Sequence, residues 1–449
     1  MKPRRKRIGL GIGVCAIASL LGSNAVSAED VVKDAQSLWK AAGFQISGTV
    51  LTSYTQNFNN PQTNNNQMRI FDTNANSFMA NMAQIVFERP ANASGTGADR
   101  AGFRARLNFG ADARFSSART NYQPGEQNKE TDIQELYAEY IAPLGNGLKI
   151  QAGKINTLIG YETVNAWENP NFSRSFMFGT AQAFTTTGIR FTYPFASWAT
   201  ATIGLINGWD NIDDSNRGKS FEYLVALTPH EKIGFSVYGS YGAEQSNGNT
   251  NTVGSALMSG CTNGTGGGCD PTAKRTVVGG IITFKPVAST TFVLEPYYGN
   301  EGNTKFDAGG NHTNARWNGI IAYLTHDLND QEKPNAFSLR VRGEIFEDAG
   351  GARLCAGGVN FAGGANTCAT SPSQPLGTAF AVTNPGAAHV NGQAQTVWET
   401  TFTLQYKPVP QLQTRMEFRY DKSDQNSFLR GSEAVNNQQT LAFSVAYLF

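Results

Sequence analysis

An all-β, transmembrane antiparallel barrel of about sixteen strands is the fold this sequence predicts, on three observations. Runs of roughly ten residues alternate polar with apolar, the connections between them alternate long with short, and no stretch after residue 28 could cross a bilayer as a helix. The segment QLQTRMEFRY, residues 411–420, shows the pattern: Gln413, Arg415, Glu417 and Arg419 hold one phase, and Leu412, Thr414, Met416, Phe418 and Tyr420 the other. A period of two marks a strand whose faces meet different surroundings.

The chain opens with five cations, Lys2, Arg4, Arg5, Lys6 and Arg7, ahead of an apolar run from Ile8 to Leu21 and small residues at Val26 and Ala28. That order is a secretory signal peptide, residues 1–28, cleaved after Ala28; the apolar run is short of the roughly 20 residues of a spanning helix. Without it the chain holds 31 Lys plus Arg against 35 Asp plus Glu, so no basic excess points to nucleic acid. Charged residues make up 16% of the chain, below the roughly 25% usual in soluble domains. Residues 29–43 form a short periplasmic segment with helical pattern, and the barrel occupies 44–449.

Sixteen runs start near Phe44, Ser77, Ala101, Thr131, Leu148, Thr185, Trp198, Ser220, Ile233, Arg275, Thr291, Asn314, Ala336, Gln395, Leu412 and Asn437. An even count puts both ends of the barrel on one side. Connections of odd rank are mostly long. Those of even rank are mostly short, and each contains proline: Pro90, Pro143, Pro194, Pro229, Pro286, Pro334, and Pro408 with Pro410. Proline cannot extend a sheet ladder and suits tight turns. Short periplasmic turns and long outer loops are the arrangement of outer-membrane barrels. Aromatics beside the short turns, among them Phe103, Tyr140, Phe284, Phe292, Phe337 and Tyr406, fit an interfacial girdle.

This architecture turns the apolar phase to lipid and the charged phase to an aqueous lumen. Arg415, Glu417 and Arg419 then face inward, with Arg104, Arg106, Asp112 and Arg114 of GFRARLNFGADAR, Glu135 and Glu139 of the next run, and Arg340, Arg342 and Glu344 of AFSLRVRGEIF. A charge facing lipid at the midplane costs about 2–4 kcal/mol, which selects this register.

Four cysteines follow the signal segment as close pairs, Cys261 with Cys269 and Cys355 with Cys368; export places them in an oxidising space and proximity favours local disulfides. Neither pair has zinc spacing. The acidic run at Asp210, Asp213 and Asp214 lacks the ligand spacing of a calcium loop. The four histidines, His230, His312, His326 and His389, lie in connections or at a strand end, which disfavours a barrel enzyme needing a positioned base. No metal or cofactor is expected.

The segments GFQISGTVLTSYTQNF, FMANMAQIVFERP, LYAEYIAPLGNGLKIQAGKINTLIGYE and NPNFSRSFMFGTAQAFTTTGIR resemble the OmpL-like β-barrel porin family of Gram-negative outer membranes, over roughly residues 44–449. The resemblance implies an integral outer-membrane porin, with lipid around it. The closing LAFSVAYLF resembles the aromatic last strand that such barrels present to their insertion machinery.

The third connection, 155–184, is long and mixes aromatics with Glu162, Glu168 and Arg174. It is the candidate constriction loop; the alternative is an outer loop packed on its neighbours. Sixteen strands leave room for a channel, so passive diffusion of small hydrophilic solutes is the first reading. An adhesin or structural barrel, or a sheath for a partner protein, is the alternative. The sequence leaves a homo-oligomer open.

Overall fold

The computed structural model describes residues 43–116, 130–214, 216–244, 271–306, 312–349, 353–354 and 394–449. The expected signal segment, 1–28, and all five cysteines lie outside them. In chain order the strands are β1 (Gln45–Asn57), β2 (Ser77–Arg89), β3 (Ala101–Phe109), β4 (Thr131–Ala142), β5 (Leu148–Asn156), β6 (Thr185–Ala196), β7 (Ala199–Trp209), β8 (Ser220–His230) and β9 (Ile233–Ala243). They continue as β10 (Lys274–Val287), β11 (Thr290–Phe306), β12 (His312–Asp327), β13 (Ala336–Asp348), β14 (Gln395–Val409), β15 (Leu412–Ser423), β16 (Phe428–Arg430), β17 (Glu433–Val435) and β18 (Asn437–Leu448).

All but β16 and β17 close into one antiparallel barrel of sixteen strands, each paired with its sequence neighbours and β1 with β18. Closure leaves no free edge, which a bilayer would penalise. The pair β16 and β17 is a small hairpin inside the last long connection, with Phe428 opposite Val435. The sequence reading had no strand there.

Two environments fix the register. On β15, Met416 and Phe418 are exposed to the outside while Arg415, Glu417 and Arg419 are buried within. Across the β14–β15 pair Gln405 stands opposite Arg415 and Thr403 opposite Glu417, so one polar phase runs across both strands. Near the short turns, aromatics of neighbouring strands stack on the outer surface: Phe337 on Tyr406 at 4.5 Å and Phe284 on Phe292 at 6.4 Å between centroids. The Tyr406 hydroxyl donates to Asn335 Oδ1 at 2.8 Å, the wet end of an interfacial ring.

One strand ends earlier than its pattern suggests. β3 stops at Phe109, because Gly110 takes φ +114° and leaves no room for a side chain: a Cβ there would sit 2.8 Å from the Asn81 carbonyl oxygen. The chain turns into a short helix, Ala113–Ser116. Arg114, expected on an inward strand position, instead lies on that helix, with Nε donating to Ala111 O at 2.9 Å.

The interior is packed rather than bare. Tyr238, Tyr297, Trp317 and Tyr323 line the inner face of β9–β12 and join Phe176 and Met177 of the third connection in one buried cluster. Trp317 lies flat across Gly299 of the paired strand, where a Cβ would fall 2.0 Å from its ring. A glycine there is a packing requirement.

Candidate functional site

The segment from 157 to 184 runs inside the barrel, and carboxylates hold much of it there through its main chain. Glu417 on β15 accepts the N–H groups of Phe172 at 2.6 Å and Ser173 at 2.9 Å. Glu344 on β13 accepts those of Phe176 at 2.6 Å and Met177 at 2.8 Å. Glu295 on β11 takes Tyr161 N–H at 3.1 Å, and Asp210 after β7 takes Phe184 and Thr185 at 2.8 and 2.9 Å. A buried loop must satisfy its own amides, and here side-chain carboxyl oxygens of the wall accept them.

Arginines complete the docking from the same wall. Arg342 on β13 donates to Glu162 at 2.7 Å, to Ser173 O at 2.6 Å and to Glu399 of β14 at 2.5 Å. Arg415 donates to the carbonyls of Ala166 and Asn169, each at 2.8 Å. Arg419 donates to Arg174 O at 2.5 Å and to Asp421 at 2.7 Å. The sequence reading set Arg342, Glu344, Arg415, Glu417 and Arg419 along an open aqueous wall. The structure instead buries all five beneath the loop, because their charges are taken up by its amides and carbonyls.

The three loop residues singled out from sequence differ in place. Glu162 is buried, and besides Arg342 it accepts Ser175 N–H at 2.8 Å and Ser175 Oγ–H at 2.7 Å. Arg174 is buried over the Phe71 ring at 4.2 Å, forms an ion pair with Asp112 at 3.6 Å and donates to Val164 O. Burial lowers the Arg174 pKa and raises that of Asp112 to about 6. Glu168 is exposed and, among the described residues, its side chain bonds within the loop, to Asn165 and Thr163.

On the wall formed by β2–β5, arginine and glutamate are lateral neighbours. Arg104 meets Glu88 at 2.6 Å, Arg106 meets Glu135 at 3.1 Å and Lys149 meets Glu139 at 3.7 Å. The acidic run after β7 is also absorbed locally: Asp210 holds main-chain amides and Asp214 pairs with Lys219.

Several residues of the site escaped the sequence reading, Glu295, Glu399 and Asp421, and Asp210 entered it only as part of an acidic run. Glu399 and Asp421 share the inward phase of their strands and were accessible to the same argument. Asp210 was not, since its role depends on a turn with φ +56°.

A closed sixteen-strand barrel, apolar without and polar-lined within, its third connection folded inward, defines an outer-membrane porin, a channel for solute diffusion. The chain belongs to the family described as "Putative beta-barrel porin-2, OmpL-like", which matches residues 43–449.

Solved structures agree in fold. The anion-selective porin from Comamonas acidovorans superposes with a TM-score of 0.52 at 8% identity, covering 90% of this chain and 99% of that one. OprB of Pseudomonas putida gives 0.52 at 8%, covering 93% and 97%. The channel DcaP of Acinetobacter baumannii gives 0.50 at 10%, covering 90% and 97%. No curated protein matches the chain.

Proposed function

We propose that this porin is a passive, non-enzymatic channel for small hydrophilic solutes in which the third connection sets the width of the path. The chain is exported through the signal peptide at 1–28, its short turns face the periplasm and its long connections face outward. The observation that carries the reading is the seating of Phe172, Ser173, Phe176 and Met177 on Glu417 and Glu344 inside the barrel. A loop fixed at this depth removes cross-section from the lumen while leaving the wall beside it accessible, as the partly exposed Arg104 and Glu88 are.

Planar-bilayer recording of purified protein tests this. The wild type conducts in steps, and a variant in which residues 163–181 are replaced by a short Gly-Ser linker conducts in larger steps. Equal step size would remove the loop as the constriction. A folded barrel that never conducts would remove the channel reading and favour an adhesin.

A further inference from the structure

We propose that Arg340 and Lys407, backed by Arg415, form a binding site on the channel wall for small anions that carry a carboxylate or phosphate group. The inference rests on the channel reading for its route but on the side chains for its chemistry.

The pairing of strands places the three cations together. Arg340 of β13 stands opposite Thr403 of β14, Lys407 opposite Ala336, and Gln405 between them opposite both Ser338 and Arg415. All three occupy the inward phase of adjacent strands, about 4.8 Å apart, at the end nearest the short turns. Arg340 and Lys407 are half-buried and reach water; Arg415 is buried behind them.

Their partners set them apart from other cations of the wall. Arg104, Arg106, Lys149, Lys154, Arg190, Arg275, Arg342 and Arg419 each have a carboxylate within ion-pair distance. Among the described residues, Arg340, Lys407 and Arg415 have none. Arg340 Nε donates to Ser338 Oγ at 3.1 Å, and Arg415 gives its hydrogens to neutral carbonyls. Asp327 of β12, Glu332 of the following turn and Glu417 of β15 act on the cluster only from beyond 4 Å, Glu417 being taken up by the amides of Phe172 and Ser173, and Arg174 adds a further cation behind Arg415. Tyr161 of the inward loop lies within electrostatic reach of Arg340.

Three like charges on a partly dehydrated wall raise each other's energy, and an anion relieves that repulsion more than it would in water. A guanidinium offers paired donors that match carboxylate or phosphate oxygens, and an ammonium adds a compact charge. The selectivity of the channel therefore belongs to this patch, while Arg342 and Arg419 are spent on the loop.

The test uses the folded full-length barrel in detergent and the double variant Arg340→Gln with Lys407→Gln. Lys219→Gln with Arg430→Gln, two exposed cations of the long connections, is the control of equal charge change. Heat-modifiable gel migration confirms folding of each. Calorimetric titration with inorganic phosphate at low salt gives binding by wild type and control that weakens as the Debye length falls below about 10 Å, and loss of binding in the double variant. In bilayers under a KCl gradient, the reversal potential of the double variant shifts toward cation preference and that of the control does not. Phosphate binding unchanged in the double variant, or absent from wild type, overturns the site even where the barrel conducts. Phosphate binding lost in the double variant with no conductance in any protein upholds the site and overturns the channel.

Discussion

Arg342 on β13 and Glu162 in the third connection are joined at 2.7 Å with both side chains closed to solvent. Arg342 also holds Glu399 on the neighbouring strand, so the loop carboxylate completes a charge set that the wall begins. Glu162→Ala strips one anion from a buried cation and frees Ser175 N–H, at a cost to docking of about 3–5 kcal/mol. The expected outcome is a folded barrel with protease cleavage within 157–184 and unstable current levels. A protease-resistant loop in this variant would show that Glu399 alone suffices.

Glu417 and Glu344 make separable contacts. Glu417→Gln leaves one carbonyl oxygen for two N–H donors and turns an NH2 toward them, losing charge-assisted bonds worth roughly 1.5–3 kcal/mol each. Amide exchange should speed at Phe172 and Ser173 in that variant, and at Phe176 and Met177 in Glu344→Gln. Exchange that rises across the whole segment in both would mean the loop undocks as one unit.

Asp112 supplies a pH dependence. Burial raises its pKa to about 6, above the ordinary carboxylate value, despite Arg174 and Asn81. The folded state therefore binds this proton more readily than the unfolded chain, and its contribution favours folding at low pH. That contribution is fully present below about pH 4 and is lost as pH rises through about 6, a change of at most roughly 3 kcal/mol. Urea midpoints in detergent should fall between pH 4 and 6, and Asp112→Asn should flatten that fall. A variant with the wild-type slope would assign the dependence elsewhere.

The barrel was legible in the sequence because a lipid-facing strand permits few exceptions to its alternation. Strand starts at Ser77, Ala101, Thr131, Leu148, Thr185, Ser220, Ile233, Ala336, Gln395, Leu412 and Asn437 agree with the structure to the residue. The depth of the third connection was not legible, since Glu417 and Glu344 grip main-chain N–H groups that every residue but proline carries. One signal was available: Phe172, Phe176, Met177, Phe178 and Phe184 are more apolar than a loop in water should be, and all five are buried. The fate of Arg342 and Arg419 followed from that depth. Lys407 drew no notice because its importance lies in what its neighbours lack.

Orientation can be read by labelling. An epitope inserted at Asn146, in the short turn between β4 and β5, should be hidden on intact cells and reached once the outer membrane is breached. One inserted after Asp213 should be reached on intact cells. The opposite result would invert the topology inferred from loop length.

Cys261 with Cys269 and Cys355 with Cys368 lie outside the described residues, and the local pairing expected from their spacing stands as a prediction. Non-reducing peptide mapping should find both links; cross-linked or free thiols would discard it.

The wall carboxylates grip the inward segment by its backbone at Tyr161, Phe172, Ser173, Phe176, Met177, Phe184 and Thr185. Attachment and surface chemistry are thereby uncoupled along it. Side chains at its exposed or half-exposed positions, Thr163, Trp167 and Glu168 among them, lie outside these anchors, although Trp167 packs on the cluster around Phe172 and Thr163 Oγ1 accepts the Asn165 N–H. A library randomised at those three positions should yield barrels that assemble alike yet differ in what they admit, which makes the segment a natural cassette for engineering.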